Sequence, residues 1–269
     1  MNATAIGLAV AGFVSVFGAT IFYFSTIPRG KVPLKPIGLV FFLCVGIILA
    51  VAAIIMSFRG SVLSIVGVLI PSSLALFIAF GILWLLSQRK TPIGNIKVKV
   101  GDKLLPFTAI TSAGVPFNSD ELSGKRILFK LFRGGWCPYC SAELVSFEHM
   151  RPRLEKYNVN VVALSKDSPD EAAIHKTRDN LNFTLLSDKN LEVIRQFGVE
   201  HHKALGGVTD SRKLFGIPLA PPTGFTAMAI PTSLLVDEHG IIQWIDQSED
   251  YRIRSNETRV LEAVAVAFG

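Results

Sequence analysis

Phe132-Arg133-Gly134-Gly135-Trp136-Cys137-Pro138-Tyr139-Cys140 lies between an apolar run, Ile127 to Phe132, and an amphipathic run that begins at Ser141. This order predicts a strand, a tight turn and a helix. A thiol in the first turn of a helix sits among unpaired backbone N–H groups at the positive end of the macrodipole, which favours thiolate over thiol. On that ground Cys137 is the expected nucleophile. Cys140, three residues on, shares its helical face and is placed to attack a mixed disulfide on Cys137. Zinc is a competing use of such a pair, but the chain beyond residue 90 has no further cysteine and its five histidines lack finger-like spacing, so no metal site is expected. An inert structural disulfide would close so short a loop that it would constrain the unfolded chain little.

Outward from this stretch the chain changes character. No Asp or Glu precedes Asp102, and three charge-free stretches, Met1 to Pro28, Pro36 to Phe58 and Gly60 to Gln88, each exceed the roughly 20 apolar residues that cross a bilayer. Half of the composition is hydrophobic. Three transmembrane helices are expected at about 4–27, 36–58 and 61–87 within a membrane region spanning residues 1–90. The first stretch lacks the basic start and small-residue cleavage site of a signal peptide and reads as a retained anchor. Pro71 should kink or split the third helix, and Cys44 in the second is a small apolar core or lipid-facing residue.

Of the 27 Lys and Arg, six precede Thr91, so residues 91–269 balance the remaining basic residues against all 21 acids. That balance carries no nucleic-acid signal. Arg29, Lys31 and Lys35 lie in the first loop and Arg89 and Lys90 after the third helix, against Arg59 alone in the second loop. The positive-inside rule then predicts a multi-pass protein whose C-terminal domain is cytoplasmic and whose N-terminus is outside.

Within residues 91–269 the pattern predicts short extended pieces at Ile96 to Val100 and Phe107 to Ile110, then the central strand at Ile127 and a helix from Pro138 to about Tyr157. Leu144, Phe147 and Leu154 mark the inner face of that helix. A strand at Asn160 to Leu164 leads into a helix capped by Ser168-Pro169-Asp170-Glu171. A strand at Phe183 to Leu186 and a short helix capped by Asp188 and closed by Gly198 follow. Glu200 to Met228 has no period and reads as a long surface or active-site loop. Ile230 to Val236, a turn at Asp237 to Gly240 and Ile241 to Ile245 form a hairpin, in which Pro231 must lie at an edge or in a cis turn. A helix from about Ser255 to Ala267 ends the chain, with Val260, Leu261, Val264 and Phe268 inward. Strands alternating with helices imply a mixed sheet covered by helices.

Strand, Trp-Cys-x-x-Cys, helix, and later Ile-Pro-Thr before a hairpin resemble the thioredoxin superfamily. Within it, the stretches GDKLLPFTAI, DELSGKRILFKLFRGGWCPYCSAEL, VVALSKDSPDEA, FTLLSDKNLEVIRQFGV, IPTSLLVDEHGIIQW and RIRSNETRVLEAV are most similar to the alkyl hydroperoxide reductase/thiol-specific antioxidant branch, the peroxiredoxin-like proteins. The resemblance covers nearly all of Gly101 to Phe268. It implies an α/β thioredoxin-like fold, a cis Ile230-Pro231 bond beside Cys137, and a substrate edge formed by Trp136, Ile230, Pro231 and Thr232. It also implies a catalytic arginine just before the last helix, at Arg254 with Arg252 as runner-up. The chain departs from the peroxiredoxin Pro-x-x-x-Thr-x-x-Cys loop. Read back from Cys140 those places hold Arg133 and Cys137, and read back from Cys137 they hold Lys130 and Gly134. The buried Asp of thioredoxins is replaced by Leu131, which leaves Glu143, Lys130 or water to move a proton from Cys140. Pro138-Tyr139 is the dipeptide of glutaredoxins and suggests glutathione as reductant, with a thioredoxin-like protein as the other candidate. His201-His202 could reach the site from the long loop.

The expectation is a membrane-anchored thiol oxidoreductase that needs no cofactor, most simply a peroxide reductase. A reductase of protein or small-molecule disulfides is the alternative, and a non-catalytic redox-sensing or docking module is the second.

Overall fold

The computed structural model describes residues 3–58 and 62–269. Two compact units emerge, one of residues 1–26 and 31–89, the other of residues 27–30 and 90–269.

The first unit is three helices, α1 (Ala3–Thr26), α2 (Ile37–Ser57) and α3 (Val62–Ser87). Each contains a segment long and apolar enough to cross a membrane. Small residues let α1 and α2 approach: Ala5, Ala9 and Gly12 are buried on one helix and Gly46, Ala50 and Ala53 on the other. A Cβ added at Gly46 would come 2.8 Å from the Gly12 carbonyl, so the contact is backbone to backbone. Phe22, Phe41 and Phe77 point outward, the reverse of a water-soluble bundle. Of the two expected outcomes, a kink or a split, Pro71 does not produce the split: α3 runs through it as one helix, as transmembrane-type helices can where neighbours satisfy the freed carbonyl. Cys44 is exposed on α2. Arg59, which bears on the expected topology, lies outside the described residues.

The second unit is built on a seven-stranded mixed sheet. Its strands are β1 (Thr108–Thr111), β2 (Pro116–Asn118), β3 (Arg126–Leu131), β4 (Val159–Ser165), β5 (Thr184–Ser187), β10 (Thr232–Val236) and β11 (Ile242–Gln247), in the order β11-β10-β3-β4-β5-β1-β2. The three central strands β3, β4 and β5 are parallel, and the flanking pairs are antiparallel. Parallel neighbours need crossovers, which α4 (Pro138–Leu154) and α5 (Pro169–Asp179) provide. Ser168 and Glu171 form a reciprocal capping box at the start of α5. The period of two along β3 divides the core. Leu128 packs with Leu144 and Phe147 of α4 and with Val260 and Val264 of α7 (Glu257–Phe268), while Ile127, Phe129 and Leu131 pack on the other face with Phe107 and Phe197. Lys130 shares the parity of Leu128 and therefore points toward α4.

Three expectations need correction. Ile96 to Val100 is not a strand. Its Lys97 amide bonds to Phe197 O (3.0 Å) at the end of α6 (Glu192–Gln196), so the segment crosses a helix end and has no strand beside it. Glu200 to Met228 is not an aperiodic loop. It folds as β6 (Glu200–Gly207) paired antiparallel with β9 (Pro222–Ala229), with a small β7 (Lys213–Leu214) and β8 (Ile217–Pro218) pair at the tip. Backbone pairing in this ribbon is interrupted between His201 and Ala204 and between Gly206 and Gly207, which erases the side-chain alternation. Finally, Pro231 lies neither at an edge nor in a cis turn. No peptide bond among the described residues is cis, and Pro231 precedes the first paired position of an interior strand, Thr232, so no ladder bond is lost.

Candidate active site

The carboxyl ends of β3 and β4 open onto one site. After Leu131 the chain turns through Gly134, whose φ of 146° suits glycine, and enters α4 with Cys137 as N-cap and Pro138 in the first turn. Cys140 lies one turn further in. Both thiols are reduced and essentially fully buried, with 1% and 0% exposure.

The two environments differ in charge. Arg254, just before α7, places Nη2 3.3 Å from Cys140 Sγ. Its Nε lies 3.0 Å from Glu143 Oε2, and Glu143 Oε1 accepts from Lys130 Nζ at 2.7 Å. Lys130 also donates to the Ser233 hydroxyl at 3.0 Å. Cys140, Arg254, Glu143 and Lys130 thus form a buried chain of alternating charge. Burial alone would push the Cys140 thiol up. The hydrogen bond from Cys137, the Arg254 charge and the Arg133 amide and charge outweigh it and hold Cys140 well below the usual thiol range. Cys137 moves the opposite way: burial, its donated hydrogen bond and the neighbouring Cys140 charge raise it well above that range. Burial likewise raises the Glu143 carboxyl against the pull of Lys130 and Arg254.

This reverses the expectation that the helix N-terminus makes Cys137 the thiolate. The end of the macrodipole is present, but the guanidinium lies on the Cys140 side, and Cys137 serves as the hydrogen-bond donor. Of the two candidate arginines, Arg254 reaches the thiol. Arg252 pairs with Asp250 through Nε at 3.0 Å and Nη2 at 2.6 Å.

A second cation lines the site. Arg133 donates to Leu205 O at 2.6 Å and from Nε to Met228 Sδ at 3.0 Å. Its guanidinium lies 4.0 Å from the Tyr251 ring centre and 5.1 Å from that of Trp136. Leu205 and Met228 belong to β6 and β9, so the ribbon covers the turn, and a Cβ at Gly207 would sit 3.0 Å from Trp136 Cε3. His201 on β6 is half-buried and drawn down to about 4 by burial, then by the Arg133 charge and by His202. His202 is solvated beside Glu200.

The expected substrate edge is occupied from within. Ile230 donates its amide to Val199 O at 2.7 Å, and the Thr232 hydroxyl donates to Ile230 O at 2.9 Å. Trp136, Ile230, Pro231 and Thr232 are all buried, so no open backbone edge faces solvent here. The structure does not bring these four together as an exposed groove.

Sequence reasoning gave Arg133 no role in the site and did not single out Asp167 and Arg178. A charge at the end of a buried strand must find partners, and that signal was available for Arg133 and Asp167. Asp167 Oδ2 accepts the Gly135 amide at 2.7 Å, and burial raises its carboxyl to about 6 against that bond and the nearby His175 charge. Among the described residues no group of three or more His, Cys, Asp or Glu is placed to hold a metal ion.

A mixed sheet with a paired thiol after its central strand, and an arginine from before the last helix on one of the sulfurs, defines a thioredoxin-like thiol oxidoreductase of the peroxiredoxin kind. The chain belongs to the AhpC/TSA family, which matches residues 100–245. It is 33% identical over 147 residues to a putative peroxiredoxin bcp of Coxiella burnetii, covering 55% of this chain and 87% of that one. It is 30% identical over 112 residues to peroxiredoxin Bcp of Escherichia coli K12, covering 42% and 72%. Among solved structures, the peroxidoxin BcpB of Mycobacterium tuberculosis aligns with a TM-score of 0.47 at 19% identity, over 62% of this chain and 95% of that one. Helices α1 to α3 and the segment carrying Arg254 lie beyond the family match.

Proposed function

We propose that this protein is a membrane-anchored thiol peroxidase in which Cys140 is oxidised by peroxide and Cys137 resolves it. The observation that carries the reading is Arg254 Nη2 at 3.3 Å from the buried Cys140 Sγ. Cys140 thiolate attacks one peroxide oxygen. The S–O bond forms as the O–O bond breaks, sulfur gives up two electrons, and the departing oxygen leaves as water or alcohol after taking a proton. Arg254 and Arg133 stabilise charge that develops on the oxygens. Cys137, now without a thiolate neighbour, loses its proton and attacks the sulfenic sulfur. The S–S bond forms, the S–O bond breaks and hydroxide departs to become water. A glutathione-type or thioredoxin-type thiol reductant then returns the pair to dithiol.

Reduction of protein disulfides fits less well, because both thiols and the Ile230 amide are shielded from a substrate chain. The three N-terminal helices serve as the bilayer anchor in this reading. The loop charges Arg29, Lys31, Lys35, Arg89 and Lys90 support a cytoplasmic catalytic domain in this reading. Stopped-flow mixing of the reduced protein with hydrogen peroxide tests the chemistry. Oxidation far faster than a free thiol, lost in Cys140→Ser, is expected. A free-thiol rate that Arg254→Ala leaves unchanged overturns it. A reporter active only outside the cytoplasm, fused at Gly269, should be silent.

A further inference from the structure

The Gly134–Gly135 turn is held by a second polar network that shares no residue with the Cys140–Arg254–Glu143–Lys130 chain. Both polar groups of the Gly135 residue are bound by buried charged side chains. Its N–H donates to Asp167 Oδ2 at 2.7 Å, and its carbonyl accepts from Arg178 Nη2 at 2.8 Å. The turn is moulded on these neighbours: a Cβ at Gly134 would lie 2.6 Å from Asp167 Oδ1, and one at Gly135 2.6 Å from the His175 ring. Arg178 is itself fixed. Its Nε and Nη2 grip both oxygens of Asp179 at 3.0 and 2.9 Å, and Asp179 accepts from the Ser141 hydroxyl on α4. The Thr209 hydroxyl, 3.3 Å from Asp167 Oδ2, joins the ribbon to the same network.

Two charged side chains thus hold the two peptide groups that flank the Gly135 Cα, immediately before Trp136 and Cys137. The turn continues directly into the N-cap, where the Cys137 amide bonds back to Gly134 O at 3.2 Å. Shifting Gly135 therefore shifts Cys137. Cys140 is one helical turn further in, and although Arg178 Nη2 also reaches the neighbouring Ser141 hydroxyl at 3.3 Å, the Cys140 sulfur itself is met by Arg254, which lies outside this network. We propose that Asp167 and Arg178 are positioning residues for Cys137: they set the Gly134–Gly135 turn so that the Cys137 sulfur meets Cys140, and thereby govern closure of the disulfide independently of the first oxidation. This rests on the proposed resolving role of Cys137.

Closure can be read without peroxide. In the full-length chain carrying Cys44→Ser, one thiolate of the pair attacks methyl methanethiosulfonate, so that a mixed S–S bond to a methylthio group forms as the thiosulfonate S–S bond breaks and methanesulfinate leaves. Attack by the other thiol forms the internal S–S bond, breaks the mixed S–S bond and expels methanethiol, so that the dithiol is oxidised by two electrons with the thiosulfonate as oxidant. Mass spectrometry after rapid acid quench follows the loss. Because a displacement of about 1 Å can cost on the order of a hundredfold, Asp167→Ala should slow closure by about that factor. Asp167→Asn keeps an acceptor oxygen for the Gly135 amide and should restore closure to within about threefold, as expected when a hydrogen bond and not bulk stability is limiting. Arg178→Lys keeps charge beside Asp179 but loses the fork that spans Asp179 and Gly135, and should close slowly. Alkylation of Cys140 should be little changed in all three. Closure at the original rate in Asp167→Ala, or in Arg178→Lys if the alanine variant does not fold, overturns the proposal. So does equal slowing of closure and Cys140 alkylation, or an asparagine variant as slow as alanine. Absent peroxide reactivity with closure still dependent on Asp167 would refute the peroxidase reading alone.

Discussion

The two ends of the first turn of α4 are three residues apart and chemically opposite. At the amino end Cys137 has the helix N-terminus, a neutral thiol and a backbone clamp. At the inner end Cys140 has a guanidinium, a thiol donor and a thiolate. A helix end is worth about 0.3–1 kcal/mol to an anion, rarely about 2. A hydrogen bond to a charged group is worth roughly 1.5–3 kcal/mol, and Cys140 has more than one. Where a buried anion settles is therefore decided by the side chains that converge on it, and the macrodipole is the smaller influence.

The strongest way to break this comparison is to remove one sulfur at a time. Cys140→Ser should abolish rapid peroxide oxidation, whereas Cys137→Ser should still consume one equivalent of peroxide and stop at a sulfenic acid that dimedone traps. A rapid first step in Cys140→Ser would exchange the roles. Next in size, Arg254→Ala should slow peroxide oxidation by about 10²–10³-fold, the usual loss when a donor to developing oxyanion charge is removed. Circular dichroism should show that the fold is kept.

A smaller effect is expected on stability. Lys130→Met leaves Glu143 buried with one cation fewer, and breaking a buried pair costs about 3–5 kcal/mol. Arg126, at the outer end of the same strand, pairs with Glu238 at 2.7 Å, and Arg126→Ala should lower stability far less than Lys130→Met. Urea midpoints that place the two variants together would refute the contrast. The mildest probe is pH. A thiol held well below its ordinary value ionises at lower pH than a free one, so the pH at which iodoacetamide labelling of Cys140 is half-maximal should lie below that of a free thiol. Labelling of Cys137 should rise only at strongly alkaline pH. By linkage, the stabilisation gained from Cys140 is fully present above the unfolded thiol value and is lost as pH falls through the lowered folded one.

Local signals were readable where local chemistry made the structure. The apolar run, glycine pair and N1 proline place β3, the turn and the start of α4 within a residue or so, and Ser168 with Glu171 sets the start of α5. Three charge-free stretches mark α1 to α3. Arg254 was reachable through resemblance, since its place before the last helix is a position and not a pattern. The β6–β9 ribbon was not readable: its register shifts, and main-chain hydrogen bonds carry no side-chain signature. Nor was Arg178, because it acts on the backbone of a glycine brought near only by the crossover through α4; for Asp167 the sequence offers the charge after a buried strand but not the glycine it binds. The identity of the thiolate was misread from the helix end, since Arg254 is distant in sequence from Cys140.

One consequence follows from having both thiols on a single buried helical turn. A sulfenic acid survives only until its partner attacks, and further oxidation to sulfinic acid needs a second peroxide to arrive first. Here the partner is in place before the first peroxide enters, so no unwinding has to precede the capture. The intermediate is intercepted within its own helix turn, and the enzyme should keep turning over at peroxide concentrations that irreversibly inactivate thiols whose partners must travel.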